Sequence, residues 1–311
     1  MEPSELVDLV DLVGFINRRH RTSFSLTGRL EGGGTGTTHG LVNPDRGRAV
    51  LKRAARPQRD DQLARTVRVV DALRSVGYPA PAYLHVGRAP DGSSYYVQQF
   101  LEGEPVADIT AGLLDQILAL NALQANRDAR RLAGKQDWSR HVHDAVFGGF
   151  GGQSGQARTM RTMRAMRAHS DDAAALLEAV QALTRPLAGI TLPADDIVHS
   201  DFGPGNVLAR DGRVTGIIDL EAAGCGSRAI DLAVLLRWGW EGAAPAERAR
   251  LAERITSIAG PDGAAICIAY QVIDCVAFTT EHYAPADARR RMQKAWEMLH
   301  LAERAMGSET A

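Results

Sequence analysis

The run His199-Ser200-Asp201-Phe202-Gly203-Pro204-Gly205-Asn206 and, shortly after it, Gly216-Ile217-Ile218-Asp219-Leu220-Glu221 hold the residues whose types and spacing suit chemistry. Asp201 stands on a Gly/Pro-rich turn, placed to address an incoming hydroxyl. Asn206 offers an amide oxygen and Asp219 a carboxylate, both hard donors. Mg²⁺ is held by a few protein oxygens together with water and phosphate oxygens, so this pair could share one such ion. The same spacing also suits an ordinary hairpin with polar ends, and by itself it leaves both readings open.

The elements that must position these groups are short. Ile197 and Val198 form an apolar pair that delivers His199 and Asp201 onto the turn. Val207 to Ala209 reads as a strand, Asp211-Gly212 as a two-residue hairpin turn, and Val214 to Ile218 as the returning strand. Closing that hairpin brings Asn206 and Asp219 to its open end, where cross-strand Cβ atoms lie about 5 Å apart. Asp231, in Ala229-Ile230-Asp231-Leu232-Ala233, opens an apolar helix running to Trp238, where an acid complements the helix N-terminus.

His-x-Asp-x-x-x-x-Asn followed by Ile-Ile-Asp resembles the catalytic and metal-binding loops of the aminoglycoside phosphotransferase family, the small-molecule branch of the protein-kinase-like fold. The resemblance implies that Asp201 is the base toward the acceptor hydroxyl and that Asn206 and Asp219 hold Mg²⁺ against nucleotide phosphates. It also gives His199 and Asp231 structural roles, Asp231 as the acid that braces the catalytic loop. An α+β, two-lobed kinase-like fold follows, with a β-rich N-lobe over 1–101 and a mainly helical C-lobe over 102–311, the latter carrying an inserted helical segment at 127–170. ATP with Mg²⁺ is the implied cofactor, GTP being left open.

Composition narrows the alternatives. With 311 residues, 45% hydrophobic, the chain can bury a sizeable core. A net charge of −1 disfavours wholesale nucleic-acid binding, and 5% aromatic residues leave little for base stacking. Cys225, Cys267 and Cys275 are odd in number and lack metal-ligand spacing, which fits a reducing cytoplasm. Glu2, Glu5, Asp8 and Asp11 stand where a signal peptide would carry positive charge. No run of about 18 apolar residues is read, so no membrane span is expected.

In the first part of the chain, Leu6 to Ile16 carry a helical stripe that Gly14 is expected to interrupt. Gly32-Gly33-Gly34-Thr35-Gly36 lies between two strands, the second of them Thr37 to Val42. A glycine turn of this kind lets backbone N–H groups approach phosphates, with Gly33 and Gly34 at its centre. No Gly-x-x-x-x-Gly-Lys-Ser/Thr occurs, which removes a Walker site. Lys52 is one of three lysines among 36 basic residues and sits in the strand Arg48 to Arg53. An ammonium there suits phosphate, and it resembles the family's strand lysine. In kinases that lysine pairs with a Glu on the next helix. Here the helix from about Asp60 to Val76 has Arg65, Thr66 and Arg68 in the relevant stretch, and Asp60 and Asp71 are both left as alternatives. Tyr83 to Gly87 and Tyr95 to Phe100 read as a strand pair. Gln99 to Leu101 then resembles the linker whose backbone recognises adenine.

The second part reads as helical: Leu113 to Leu123, Leu232 to Trp240, Ala246 to Ile258 and two further segments ending near Met306. His141 and His143, two residues apart, do not share a helix face, so no metal site is expected there. Arg158, Arg161, Arg164 and Arg167 alternate with Met160, Met163 and Met166, a solvated basic face over an apolar one. In the family, C-terminal helices supply acids for a cationic substrate, and Asp274 and Glu281 are the candidates here. The implied activity is phosphorylation of a hydroxyl on a cationic antibiotic, an aminoglycoside or a tuberactinomycin-type peptide, by a monomer or homodimer. The alternatives are a metabolic kinase of choline, an amino sugar or an amino alcohol, and, less favoured, a protein kinase or inactive kinase-like module. No Arg-Asp pair precedes the loop, and the stretch after Asp219 is too short for an activation segment.

Overall fold

The computed structural model describes residues 3–30, 38–45, 47–53, 60–134, 136–148 and 163–307. The chain divides into two units: Met1–Pro105 with Val207–Leu220, and Val106–Asn206 with Glu221–Ala311. The hairpin expected to follow the catalytic turn therefore belongs, by its contacts, with the N-terminal unit.

The first unit opens with helix α1, Pro3–His20. It runs unbroken through Gly14, because Leu12, Val13 and Ile16 are anchored in a shared core with Phe24, Leu41, Leu51, Tyr95 and Val97. Burial of that stripe outweighs the roughly 1 kcal/mol propensity cost of one glycine. Strands β1 (Ser25–Arg29), β2 (Thr38–Asn43), β3 (Gly47–Arg53), β4 (Tyr83–Arg88) and β5 (Ser94–Gln99) form one antiparallel sheet in the order β1-β2-β3-β5-β4. Helix α2, Asp60–Arg74, lies between β3 and β4 in the chain and buries Val69, Val70 and Leu73. A second sheet joins β6 (Glu104–Pro105) to β8 (Val207–Arg210) and β8 to β9 (Arg213–Ile217). The β8–β9 turn has φ 51° at Asp211 and 72° at Gly212, the left-handed pair that a two-residue hairpin of this hand requires. Gly33 and Gly34 lie outside the described residues.

The second unit is built on helices. Those ahead of the His199–Asn206 turn are α3 (Ala111–Leu123), α4 (Ala129–Ala133), α5 (Trp138–His143), which continues into a π-helical turn, α6 (163–169) and α7 (Asp171–Thr184). Of the Arg/Met stretch, residues up to 162 lie outside the description; in α6 Met166 is fully buried while Arg164 and Arg167 are exposed. After it come α8 (Ala229–Trp238), α9 (Pro245–His282) and α10 (Pro285–Gly307). A short antiparallel pair, β7 (Asp196–Val198) and β10 (Gly224–Gly226), is buried among them. α9 breaks at Gly260, whose φ of 73° lets Pro261 start a fresh helical run.

By length and composition α9 could cross a bilayer, contrary to the expectation that no such run exists. Of that apolar window 72% is buried inside the unit, with Ala264 to Ala269 all within its core. All three cysteines are unpaired and buried, and burial pushes the Cys267 thiol up to about 12.

Candidate active site

β7 ends at Val198, and the chain turns sharply at Ser200, whose φ of 75° is rare for a residue other than glycine. Asp231, in the first turn of α8, pins that turn. Its two carboxylate oxygens accept the backbone N–H of His199 and of Ser200, each at 2.8 Å, and one of them also accepts the Gln124 side-chain amide at 2.7 Å. Burial pushes the Asp231 carboxyl up, against the His199 ring and the three donated hydrogen bonds, which pull it down. His199 is fully buried; its Nδ1 accepts the Asp201 N–H at 3.2 Å, which leaves any ring proton of the neutral form on Nε2.

Past this pinned turn Phe202 is buried and Asp201 is exposed. Asn206 closes the loop by donating its side-chain NH₂ to the Asp201 carbonyl at 2.8 Å and to the Asp201 carboxylate at 3.0 Å. Two acceptors on that side fix the amide's orientation and direct its carbonyl oxygen the other way. A pocket of about 340 Å³ opens here, lined by Asp201, Asn206, the Gly203-Pro204-Gly205 turn, Val106, Ala107 and Trp238.

In the first unit, Lys52 on β3 donates to the Asp219 carboxylate at 3.0 Å. The lysine side chain is 17% exposed and that of Asp219 50%. Asp219 itself has φ 69°, in the left-handed region that Asp tolerates better than most residues. Lys52 thus has a partner on the segment after β9; of the two α2 acids that sequence reasoning offered, Asp71 is exposed on its helix and the side chain of Asp60 lies outside the description. At the end of β5, the Gln99 side-chain oxygen accepts the Ala82 N–H at 3.3 Å and Arg74 at 3.4 Å. Its side-chain oxygen is thus engaged by α2 and by the residue just before β4.

Asp274 has an unexpected partner. Its carboxylate binds the Arg237 guanidinium, and Arg237, only 5% exposed, also donates to the Asp274 carbonyl at 3.3 Å. This acid balances a buried cation. Glu281 is exposed near the end of α9. Sequence reasoning missed Gln124, whose link to Asp231 spans far too many residues to be visible in a pattern, and it placed Trp238 merely as the end of a helix. Trp238 is 41% exposed, an unusual state for a large aromatic on a helix otherwise almost wholly buried. Among the described residues no cluster of His, Cys, Asp and Glu is arranged to hold a metal by itself.

Comparison with known proteins places these groups in context. No curated protein matches the sequence. In fold, the chain is similar to the aminoglycoside phosphotransferase APH(4)-Ia in a ternary complex with ADP and hygromycin B, with a TM-score of 0.60 at 15% identity over 96% of this chain and 98% of that one. It is similar as well to aminoglycoside 2'-phosphotransferase-IIIa bound to GDP, with a TM-score of 0.58 at 15% identity over 97% and 99%. An aminoglycoside phosphotransferase from Alicyclobacillus acidocaldarius gives 0.54 at 14% identity over 93% of each chain. These likenesses establish the kinase-like α+β fold expected from the sequence. A family model described as the phosphotransferase enzyme family matches residues 29–266, a span that takes in Lys52, the Asp201 loop, Asp219 and Asp231. The chain is therefore a phosphotransferase, a member of the phosphotransferase enzyme family.

Proposed function

We propose that this protein is an ATP-dependent O-phosphotransferase that phosphorylates a hydroxyl of a cationic antibiotic, an aminoglycoside or a tuberactinomycin-type peptide, and so confers resistance. The observation that carries the reading is the Asp201 loop. An exposed carboxylate stands at the wall of a ring-sized pocket, on a backbone turn locked by a buried acid. Phosphoryl transfer asks a protein mainly for positioning and charge neutralisation, and a fixed carboxylate meeting a small pocket supplies the first. The fold relatives bound to ADP, GDP and hygromycin B support a nucleotide and a small-molecule acceptor.

In this reading Asp201 orients the acceptor hydroxyl and takes its proton as the new bond forms. Asn206 turns its carbonyl oxygen away from Asp201, and that oxygen and the Asp219 carboxylate are each hard donors of the kind Mg²⁺ accepts. Lys52 meets nucleotide phosphates and the Gln99–Leu101 backbone holds the base, while for Gly33 and Gly34 the phosphate-binding role rests on the sequence alone. When bound, Mg²⁺ and ATP supply the neutralising charge and the transferable phosphoryl group. The N-lobe of 1–101 would thus serve the nucleotide and the C-lobe of 102–311 the acceptor. Of the two candidate acids Glu281 is exposed, whereas Asp274 already serves Arg237. The unpaired cysteines favour a reducing compartment.

The test begins with nucleotide consumption over hygromycin B, other aminoglycosides, a tuberactinomycin-type peptide, choline and amino sugars. Turnover of choline alone would move the assignment to a metabolic kinase. With the accepted substrate, Asp201→Asn should lose about 10² to 10⁴ in kcat while calorimetry shows Mg²⁺-dependent nucleotide affinity retained. Asp219→Asn should weaken that affinity too. Near-normal turnover by Asp201→Asn would show that Asp201 is not the base.

A further inference from the structure

Strand β7 has β10 on one edge, and on the other Gln124, the residue that caps α3, closes it at Ile197. The Gln124 carbonyl accepts the Ile197 N–H at 3.0 Å, and the Gln124 side-chain NH₂ donates to the Ile197 carbonyl at 3.1 Å. One residue thus serves both backbone groups that a third strand would have paired. The second N–H of the same amide goes to Asp231 at 2.7 Å. Both partners of that NH₂ are acceptors, which fixes the amide's orientation and turns its oxygen toward Asn121. Asn121 donates to that oxygen at 2.9 Å and to the Arg228 carbonyl, just before α8, at 3.1 Å. Asn121, Gln124 and Asp231 are each at most 1% exposed. The Asn121 carbonyl oxygen is buried with no hydrogen-bond partner among the described residues. A buried acceptor left unmade is costly, so here one bond is given up to keep two donors aimed.

Each hydrogen bond made by the Asp231 carboxylate comes from a donor: the His199 and Ser200 N–H groups and the Gln124 amide. A protonated carboxyl would have to place a fourth hydrogen among these three, so the site is shaped for the anion. Burial works against the anion and pushes the carboxyl up, while the His199 ring and the three hydrogen bonds oppose it. Of the groups acting on Asp231, His199 is the titratable one. From α3 it meets a neutral amide, Arg228 directs its guanidinium to Asp196, and Cys225 of β10 turns its thiol to the Gln136 carbonyl. The anion therefore depends on neutral dipoles, and Gln124 supplies the one that comes from a side chain. We propose that Gln124 is a positioning residue for phosphoryl transfer: with its amide aimed by Asn121, it keeps Asp231 ionised, and the ionised acid holds the turn at Ser200 that carries Asp201. This role rests on Asp201 as the base and adds the source of the loss of transfer at acid pH, a buried group that touches no substrate. As pH falls through the folded pKa of Asp231 the carboxyl takes a proton, a backbone donor is displaced and the turn loosens. Removing the Gln124 donor raises that pKa further, so transfer is lost at a higher pH.

The experiment uses the full chain with Mg²⁺, ATP and either hygromycin B or choline as acceptor, kcat being followed from about pH 5.5 to 9. Gln124→Leu should move the acid limb of kcat up by about one pH unit, with the KM for ATP changed less than about threefold. Gln124→Glu should act in the opposite sense. Its carboxyl must keep a proton to face Asp231, so kcat falls as pH rises and that shared proton leaves. Hydrogen exchange over 199–201 reads the same lock without an acceptor. Relative to the parent, Gln124→Leu should exchange about tenfold faster near pH 6 and differ less near pH 8.5, and Gln124→Glu should show the reverse. Thermal melts show which variants are folded. If Gln124→Leu is not, Gln124→Glu carries the test together with Asn121→Ala, which frees the amide to rotate and should move the acid limb up by a smaller amount. Loss by the same factor at every pH in both Gln124 variants means that Gln124 only packs, and overturns its role. So does an unmoved acid limb with an exchange ratio flat in pH. No turnover of either acceptor counts against those acceptors and leaves the exchange ratios to decide on Gln124. Near-normal turnover by Asp201→Asn sinks Asp201 as the base, while the lock on the turn is still read by exchange.

Discussion

At the scale of single residues, the acid that touches no pocket wall is as informative as the one that does. Asp231 is fully buried and satisfied by two backbone donors and Gln124, and one of those donors belongs to Ser200, whose backbone is strained. An Asn at this position keeps the volume but presents an NH₂ group to a backbone N–H, so at least one donor loses its acceptor. A buried donor left unmade costs about 1–3 kcal/mol, and the loop bearing Asp201 loses its lock. Asp231→Asn is expected to lower the urea midpoint correspondingly and to reduce kcat at saturating substrates. Retention of both the midpoint and kcat would show that the turn at Ser200 holds itself.

Among the elements, the loop after α8 is fastened from α10. Lys294, with 8% of its side chain exposed, donates to both Glu241 oxygens at 3.1 and 3.4 Å. The same loop accepts the Ile109 N–H at Gly242, which ties it to the stretch containing Val106 and Ala107. Burial pushes Lys294 down against the pull of Glu241. Burial also pushes Glu241 up, and the ammonium more than offsets it, holding the carboxyl below its usual value of 4.5. Glu241 therefore contributes stability that is present above that value and is lost as pH falls through its folded pKa. Removing Glu241 strands a buried ammonium, whereas removing Lys294 leaves a half-exposed carboxylate that water can serve. Glu241→Ala is expected to cost about 1–3 kcal/mol and Lys294→Met distinctly less, read from denaturant melts. The reverse ranking would mean that the lysine's packing, and not its charge, holds the loop.

For the molecule as a whole, a net charge of −1 excludes strong long-range capture of a cation, and Asp274 is neutralised by Arg237. A polycationic acceptor would be attracted only by a few local acids such as Glu281. Its KM should rise with salt between about 0.1 and 1 M, where the screening length falls from about 10 to 3 Å, but by less than roughly tenfold. A flat KM would point to a neutral metabolite as acceptor, and a far steeper rise to an acidic surface larger than the described residues provide.

The elements themselves were legible in the amino-acid order, because they depend on neighbours. Alternating strands, the Asp211-Gly212 turn and the apolar face of α8 follow from periodicities of two and 3.6 and from one dipeptide's tolerance of positive φ. The His199 to Asn206 pattern likewise carried the resemblance to the family, because it is a run of residue types at fixed spacing. Other features were decided only by the folded chain. Burial overrode Gly14 in α1, since a core contact outweighs a local propensity. A partner of Lys52 came from the segment after β9, the brace on Asp231 came from Gln124, and Asp274 was drawn to Arg237. Trp238 became a pocket wall because α8 ends against Gly203 and Pro204. Each of these is a pairing between residues distant in sequence. A buried charge or an open ring acquires its role from whatever the fold places beside it, and that information is absent from local order.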